Sequence, residues 1–190
     1  MRLLQHDPVH GYELYRSDLI VTHHAAFVER CHYAVDKFKR IFGDKSSTWT
    51  FGSYNTFAMT AGSVIFYQLY HELRTLIRHF TKINGPLWFQ SWLNFHFENE
   101  VLDWHRHRNS IVHGYISIEP HQTKTLFESY EIQNEIGNVY IAPSGQMHKV
   151  MVLERFTTPR ITIAFDVFNE DNIAQMYKEN KHVNLSVMPL

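Results

Sequence analysis

From Ser17 to Phe42, apolar residues recur three and four positions apart, at Leu19, Ile20, Ala26, Phe27, Cys31, Ala34, Val35, Phe38, Ile41 and Phe42. This spacing predicts a helix with one buried stripe, Ser17 as N-cap and Gly43 as stop. Gly43 to Ser53, rich in Ser, Thr and Gly, reads as a loop. A second helix is predicted from Tyr54 to Lys82, with Phe57, Ala61, Val64, Ile65, Leu69, Leu73, Leu76, Ile77 and Phe80 as its apolar face and Asn84-Gly85-Pro86 as its end. Leu87 to Phe97, anchored by Trp88, Trp92 and Phe95, predicts a third, and Glu98 to His113 a fourth that stops at Gly114.

After Gly114 the pattern changes. Tyr115–Ile118, Leu126–Ile132, Val139–Ala142, Lys149–Phe156 and Arg160–Phe165 are short β-branched and aromatic runs, separated by Pro120, Gly137-Asn138, Pro143-Ser144-Gly145 and Thr158-Pro159. A last helix is predicted over Glu170 to Glu179. The expected fold class is mainly α: an up-and-down bundle of about four helices with a C-terminal β-hairpin or small antiparallel sheet and a final helix. Residues 1–116 form the predicted bundle, and 117–190 a β-rich elaboration packed on the same domain.

Composition fits a folded chain. Of 190 residues, 44% are hydrophobic and 19% charged, enough to bury a core. The formal charge of −1 does not advertise nucleic-acid binding, and one Cys excludes an internal disulfide framework and a Cys-based zinc site. No signal peptide and no run of roughly 20 apolar residues is visible, which predicts a cytoplasmic protein without a membrane partner. Histidine stands out: fourteen residues, nearly as many as Lys and Arg together.

The densest chemistry lies in E-V-L-D-W-H-R-H-R-N-S-I-V-H-G-Y, from Glu100 to Tyr115. On a helix, Arg108 and His113 would stand about 140° apart, and Asn109 and His113 would share a face. His113 can move a proton near neutral pH, Arg108 can stabilise a phosphate transition state, and Asn109 can position either. This set suits metal-independent RNA cleavage by the 2′-hydroxyl, in a cleft completed by a second copy.

The string Arg108-Asn109-Ser110-Ile111-Val112-His113 resembles the Arg-x4-His signature of HEPN-domain proteins. That resemblance implies a helical bundle dimerising through its motif helices. It also implies a metal-independent endoribonuclease, often a toxin or antiphage effector, with Arg108 and His113 catalytic and Asn109 supporting. His113-Gly114-Tyr115 extends the match to HEPN toxins paired with a nucleotidyltransferase antitoxin, which makes Tyr115 the implied adenylylation site. The alternative within this resemblance is a non-catalytic module for nucleotide or RNA binding, or for dimerisation.

The other signals are weaker. His105, Arg106 and His107 form a basic rim suited to RNA phosphates, and Glu100 is a supporting carboxylate. Alternating histidines fall on different faces of a helix, so no metal site and no cofactor is predicted. His71-Glu72-Leu73-Arg74 lacks the second His of H-E-x-x-H, and no G-x-S-x-G or phosphate-cradling Gly loop occurs. Trp88, Trp92 and Phe95 read as core.

Overall fold

The computed structural model describes residues 1–43, 48–49, 53–100, 102–179 and 185–190. The chain opens with a hairpin, β1 (Arg2–Asp7) and β2 (Tyr12–Arg16). The Asp7 carboxylate accepts the backbone N–H groups of Val9 and His10 in its turn, and Gly11 takes the left-handed φ of 74° that closes it. Helices α1 (Asp18–Thr22) and α2 (His24–Phe42) follow. Ser17 Oγ accepts from the Ile20 N–H, so the expected cap is present, but His23 breaks the helix in two. Of the predicted loop after Gly43, residues 44–47 and 50–52 lie outside those described; Thr48–Trp49 form β3. The second predicted helix is also divided, into α3 (Thr56–Met59), capped by the Asn55 side chain, and α4 (Val64–Thr81).

From here the helical expectation fails. Leu87–Phe97 is not a helix but the strand β4 (Trp88–His96), and Glu98–His113 holds only a single 3-10 turn at Glu98–Glu100 before β5 (Val112–Glu119) begins. The chain continues through β6 (Thr123–Phe127), β7 (Glu131–Gln133), β8 (Asn138–Pro143), β9 (His148–Val152), β10 (Arg160–Phe168), α5 (Glu170–Glu179) and β11 (Met188–Pro189). The fold is a β-rich antiparallel architecture, not a mainly α bundle. Residue 116 lies inside β5, and the large sheet draws strands from both sides of it.

That sheet runs β1-β2-β8-β5-β10-β4-β11, with β3 also on β4; a smaller one runs β7-β6-β9. The register explains the division of labour. On β10, Ile161, Ile163, Phe165 and Val167 point to one side, with Phe89 and Leu93 of β4 and Val112, Ile116 and Ile118 of β5. They pack against Phe27, Phe38, Phe66, Leu69, Leu73 and Ile77 of α2 and α4. The alternate residues face the small sheet, where Tyr12, Leu14, Tyr115, Phe127, Ile132, Tyr140 and Ala142 form a second cluster. The molecule is therefore three layers: helices, large sheet, small sheet. Gly114 is required at the centre, because a Cβ there would stand 2.2 Å from Phe165 Cζ and 2.4 Å from the Tyr140 carbonyl oxygen. Among the described residues no helix is long and apolar enough to cross a membrane.

Candidate functional site

Between the sheets lies a cavity of about 480 Å³. Its walls come from β4, β5 and β10, from β6 and β9 opposite, and from the irregular segment before β5. Antiparallel register puts His113 of β5 directly across from Asp166 of β10. Cross-strand partners share a face, so both side chains enter the space between the sheets. Trp92 of β4 enters from the other side and stacks on the His107 ring at 5.3 Å.

His105 and His107 sit on an extended stretch, not a helix. Residues two apart on extended chain point to the same side, so the alternation that argued against a shared site now favours one. A β-bridge pins the stretch: His105 N–H donates to the His148 carbonyl at 3.0 Å, and His148 N–H donates back at 2.9 Å. Four imidazoles meet as a result. His107 stacks on His113 at 4.0 Å, His113 on His148 at 4.8 Å, and His105 lies 4.3 Å from His148.

The hydrogen bonds fix the tautomers. His105 Nδ1 lies 2.7 Å from the Asp103 carbonyl oxygen and His148 Nδ1 3.0 Å from that of Gln146. His107 Nδ1 lies 3.2 Å from Asp166 Oδ2. A carbonyl or carboxylate oxygen can only accept, so each Nδ1 carries the proton and each Nε2 a lone pair. Gln146 is itself held, its amide donating to the His10 carbonyl and its side-chain oxygen accepting from Tyr140 and Tyr130.

Among the described residues, two sets of side chains have ligand atoms within 4.8 Å of one another: His105, His107 and His148; and His107, His113 and Asp166. The second set has an ordinary explanation, two rings around one carboxylate, with His113 Nδ1 3.4 Å from Asp166 Oδ1. In the first, three rings bring nitrogens within 4.8 Å of one another while each ring's Nδ1 faces an acceptor oxygen, a disposition that can hold a metal ion. The Nε2 of His113, buried without a partner, adds a fourth uncommitted nitrogen.

Burial works against charging three of the rings. Burial lowers the pKa of His105; it pushes His113 down to about 4, aided by His107, and His148 down to about 2, aided by His113 and His105. For Asp166, burial alone would raise the carboxyl, but His107 and His113 outweigh it and hold it below the ordinary carboxylate range. At pH 7 this leaves His105, His113 and His148 neutral around the Asp166 carboxylate.

Of the residues the sequence proposed, Arg108, His113, His105, Arg106, His107 and Tyr115 line this one cavity, while Asn109 and Glu100 do not. Arg108 and Asn109 are exposed on an irregular turn, with Asn109 at a left-handed φ of 67°, and His113 is on a strand, so no helical edge joins them. Arg106 is exposed on the cavity rim, and Glu100 is exposed, accepting the Phe97 N–H at 2.9 Å. The Tyr115 hydroxyl is buried rather than presented for adenylylation. Sequence reasoning missed His148, Asp166 and Arg160. His148 follows directly on the Pro143-Ser144-Gly145 turn, and the two charges stand inside the otherwise apolar run R-I-T-I-A-F-D-V-F. A charge within such a run was the available signal.

No known protein family and no curated protein matches the sequence. Among solved structures, the non-heme alpha ketoglutarate dependent epimerase SnoN from nogalamycin biosynthesis is similar at a TM-score of 0.56 and 11% identity. The match covers 84% of this chain and 76% of that one. A cupin-2 domain containing protein from Shewanella frigidimarina covers 47% of this chain and 89% of its own, at 22% identity and a TM-score of 0.32. At 11% identity the epimerase match speaks to the fold alone. That fold is a β-rich antiparallel architecture, which overturns the HEPN resemblance. With no motif helix, the HEPN ribonuclease and its helix-paired dimer lose their structural basis.

Proposed function

We propose that this chain is a metal-dependent enzyme that holds one divalent transition ion on His105, His107 and His148 and acts on a small molecule in the cavity beside it. The observation that carries this reading is the shared tautomer of the three rings. Each donates Nδ1–H to a fixed acceptor and keeps Nε2 free, the outer hydrogen-bonding pattern of metal-ligating histidines. Imidazole donors suit Fe, Co, Ni, Cu or Zn, and the single thiol, Cys31, is buried among the helices instead. The fold offers a precedent, since the similar epimerase is a non-heme enzyme.

A bound ion of this kind would supply Lewis-acid or redox chemistry at the cavity wall. The protein's own parts have separate tasks. Asp166 orients the His107 ring, and the bridge between residues 105 and 148 fixes the spacing of two rings. Gln146, with Tyr130 and Tyr140, holds the turn that carries His148. His113 closes the inner end of the cluster.

Metal analysis of protein purified without a His tag tests this. Wild type is expected to carry or take up about one equivalent of ion, while His107→Ala and His148→Ala lose it and Arg108→Ala keeps it. A folded wild-type protein that takes up none of Fe(II), Co(II), Ni(II) or Zn(II) overturns the reading. Small-molecule turnover that stops in a chelator and returns with the ion supports the enzymatic part; an ion held with no turnover across a substrate panel refutes it.

A further inference from the structure

Arg160 opens β10 and is 3% exposed, with its guanidinium on the cavity wall. A charge so buried normally has an acidic partner, because the desolvation cost is otherwise uncompensated. Arg160 has none: no Asp or Glu of the described residues lies within ion-pair distance. Among the described residues its one hydrogen bond is a long one, from Nη1 to Thr162 Oγ1 at 3.4 Å, and its Nε has no partner there. Its cross-strand neighbour His96 is an imidazole and supplies no negative charge. Arginine, unlike lysine, cannot escape by giving up its proton.

The Tyr115 hydroxyl also lines the cavity, buried, with the Thr125 hydroxyl beside it. Native interiors leave few buried donors unpaired, and the Arg160 guanidinium on this wall marks a place where an acceptor from a ligand completes it. The charge balance gives the ligand's sign. Arg106, Arg108 and Arg160 line the cavity against a single acid, Asp166.

We infer that Arg160 is the anchor of an anion subsite, taking the carboxylate of a small carboxylic acid whose remainder extends toward the histidine cluster. A guanidinium fork matches a planar carboxylate bidentately, and Tyr115 offers a further donor. The route to the cluster follows the strand: Thr162, Ala164 and Asp166 step along one face of β10 at roughly 7 Å per pair of residues. A molecule of a few carbons covers one or two such steps. Phosphate, which draws on several cationic or backbone donors, fits a lone buried fork less well. The inference rests on the proposed function for what the cavity is for, but the subsite itself is built without the ion.

Calorimetric titration with acetate, succinate and benzoate tests it, on metal-free and Zn(II)-loaded protein, for wild type, Arg160→Gln and Arg160→Lys. At least one acid is expected to bind wild type, Arg160→Gln to weaken it at least about 30-fold, and dimethyl succinate not to bind. Zn(II) stoichiometry should not change in either variant. Should Arg160→Gln fail to fold, Arg160→Lys, which keeps the charge and loses the fork, is expected to weaken binding about 10-fold. Binding lost in the variants while wild type holds no metal supports the subsite and refutes the metal centre. No carboxylate binding to wild type in either form, equal binding by wild type and variants, or Arg160-dependent binding of inorganic phosphate alone each overturns the inference.

Discussion

Asp166→Asn keeps the shape of a buried side chain and removes its charge. The carboxylate serves His107 through Oδ2 and stands 3.4 Å from both His113 Nδ1 and Ser110 Oγ on the Oδ1 side. Asn has one acceptor oxygen and turns an N–H donor toward the other partner, so one ring loses its acceptor. If Asp166 acts on the ion only through His107, affinity falls 10- to 100-fold, or about 1.4 to 2.7 kcal/mol. Losing a ligand outright costs more. The roughly 10–16 kcal/mol of a four-ligand zinc site divides into about 3 to 4 kcal/mol each, on the order of several hundred-fold. The two ligand sets therefore forecast opposite orders: His105, His107 and His148 make His148→Ala the severe change, whereas His107, His113 and Asp166 make Asp166→Asn severe. Competition for Zn(II) against a chromophoric chelator at pH 7.5 reads the difference, with thermal melting to confirm that each variant folds. Affinity unchanged in Asp166→Asn, or lost there more completely than in His148→Ala, refutes the reasoning.

Acid is expected to weaken the metal-free protein. The folded pKa of His113, about 4, lies below the unfolded value near 6.5, so stability from burying the neutral ring is present above 6.5 and lost as pH falls toward 4. Between pH 6.5 and 5 that is about 2 kcal/mol, or roughly 4 to 8 °C in Tm for a chain of this size, and a flat Tm in EDTA over this range contradicts it. Gly114→Ala should destabilise by about 3 kcal/mol or more, because the Tyr140 carbonyl in the neighbouring strand cannot give way; denaturant unfolding measures it. Phe38→Ala, in the helix–sheet core, should cost about 3 to 5 kcal/mol in the same assay while leaving the metal stoichiometry of folded protein unchanged.

The helices near the N-terminus were legible because each buries one face: Ser17 and Gly43 bound the helical stretch that the stripe of Phe27, Cys31, Ala34 and Phe38 predicts. β4 was not legible. It is covered on both faces, so it lacks the polar–apolar alternation of a half-buried strand, and Trp88, Trp92 and Phe95 fall at spacings that imitate a helix. In the strand, Trp92 faces the cavity and Phe95 the helices. The same error placed Arg108 and His113 on one imagined helix and set His105 and His107 on opposite faces, hiding a pair that extended chain puts together. Local composition did show the histidine-rich segment as the densest run of chemistry-bearing side chains. His148, Asp166 and Arg160 arrive through strand pairing across distant parts of the chain, which spacing cannot encode.

The parity of β10 has a consequence for how such a protein can change. Arg160, Thr162, Ala164 and Asp166 touch the cavity, while Ile161, Ile163, Phe165 and Val167 touch the helices. Two messages are interleaved in one strand, and each can be rewritten without editing the other. Substitutions at the even positions retune what the cavity holds, with the scaffold intact underneath. A single inserted residue would exchange the two messages at once, putting Arg and Asp into the helix core and isoleucines beside the histidines. Ligand preference in this fold is open to point substitution and closed to insertion along its central strand.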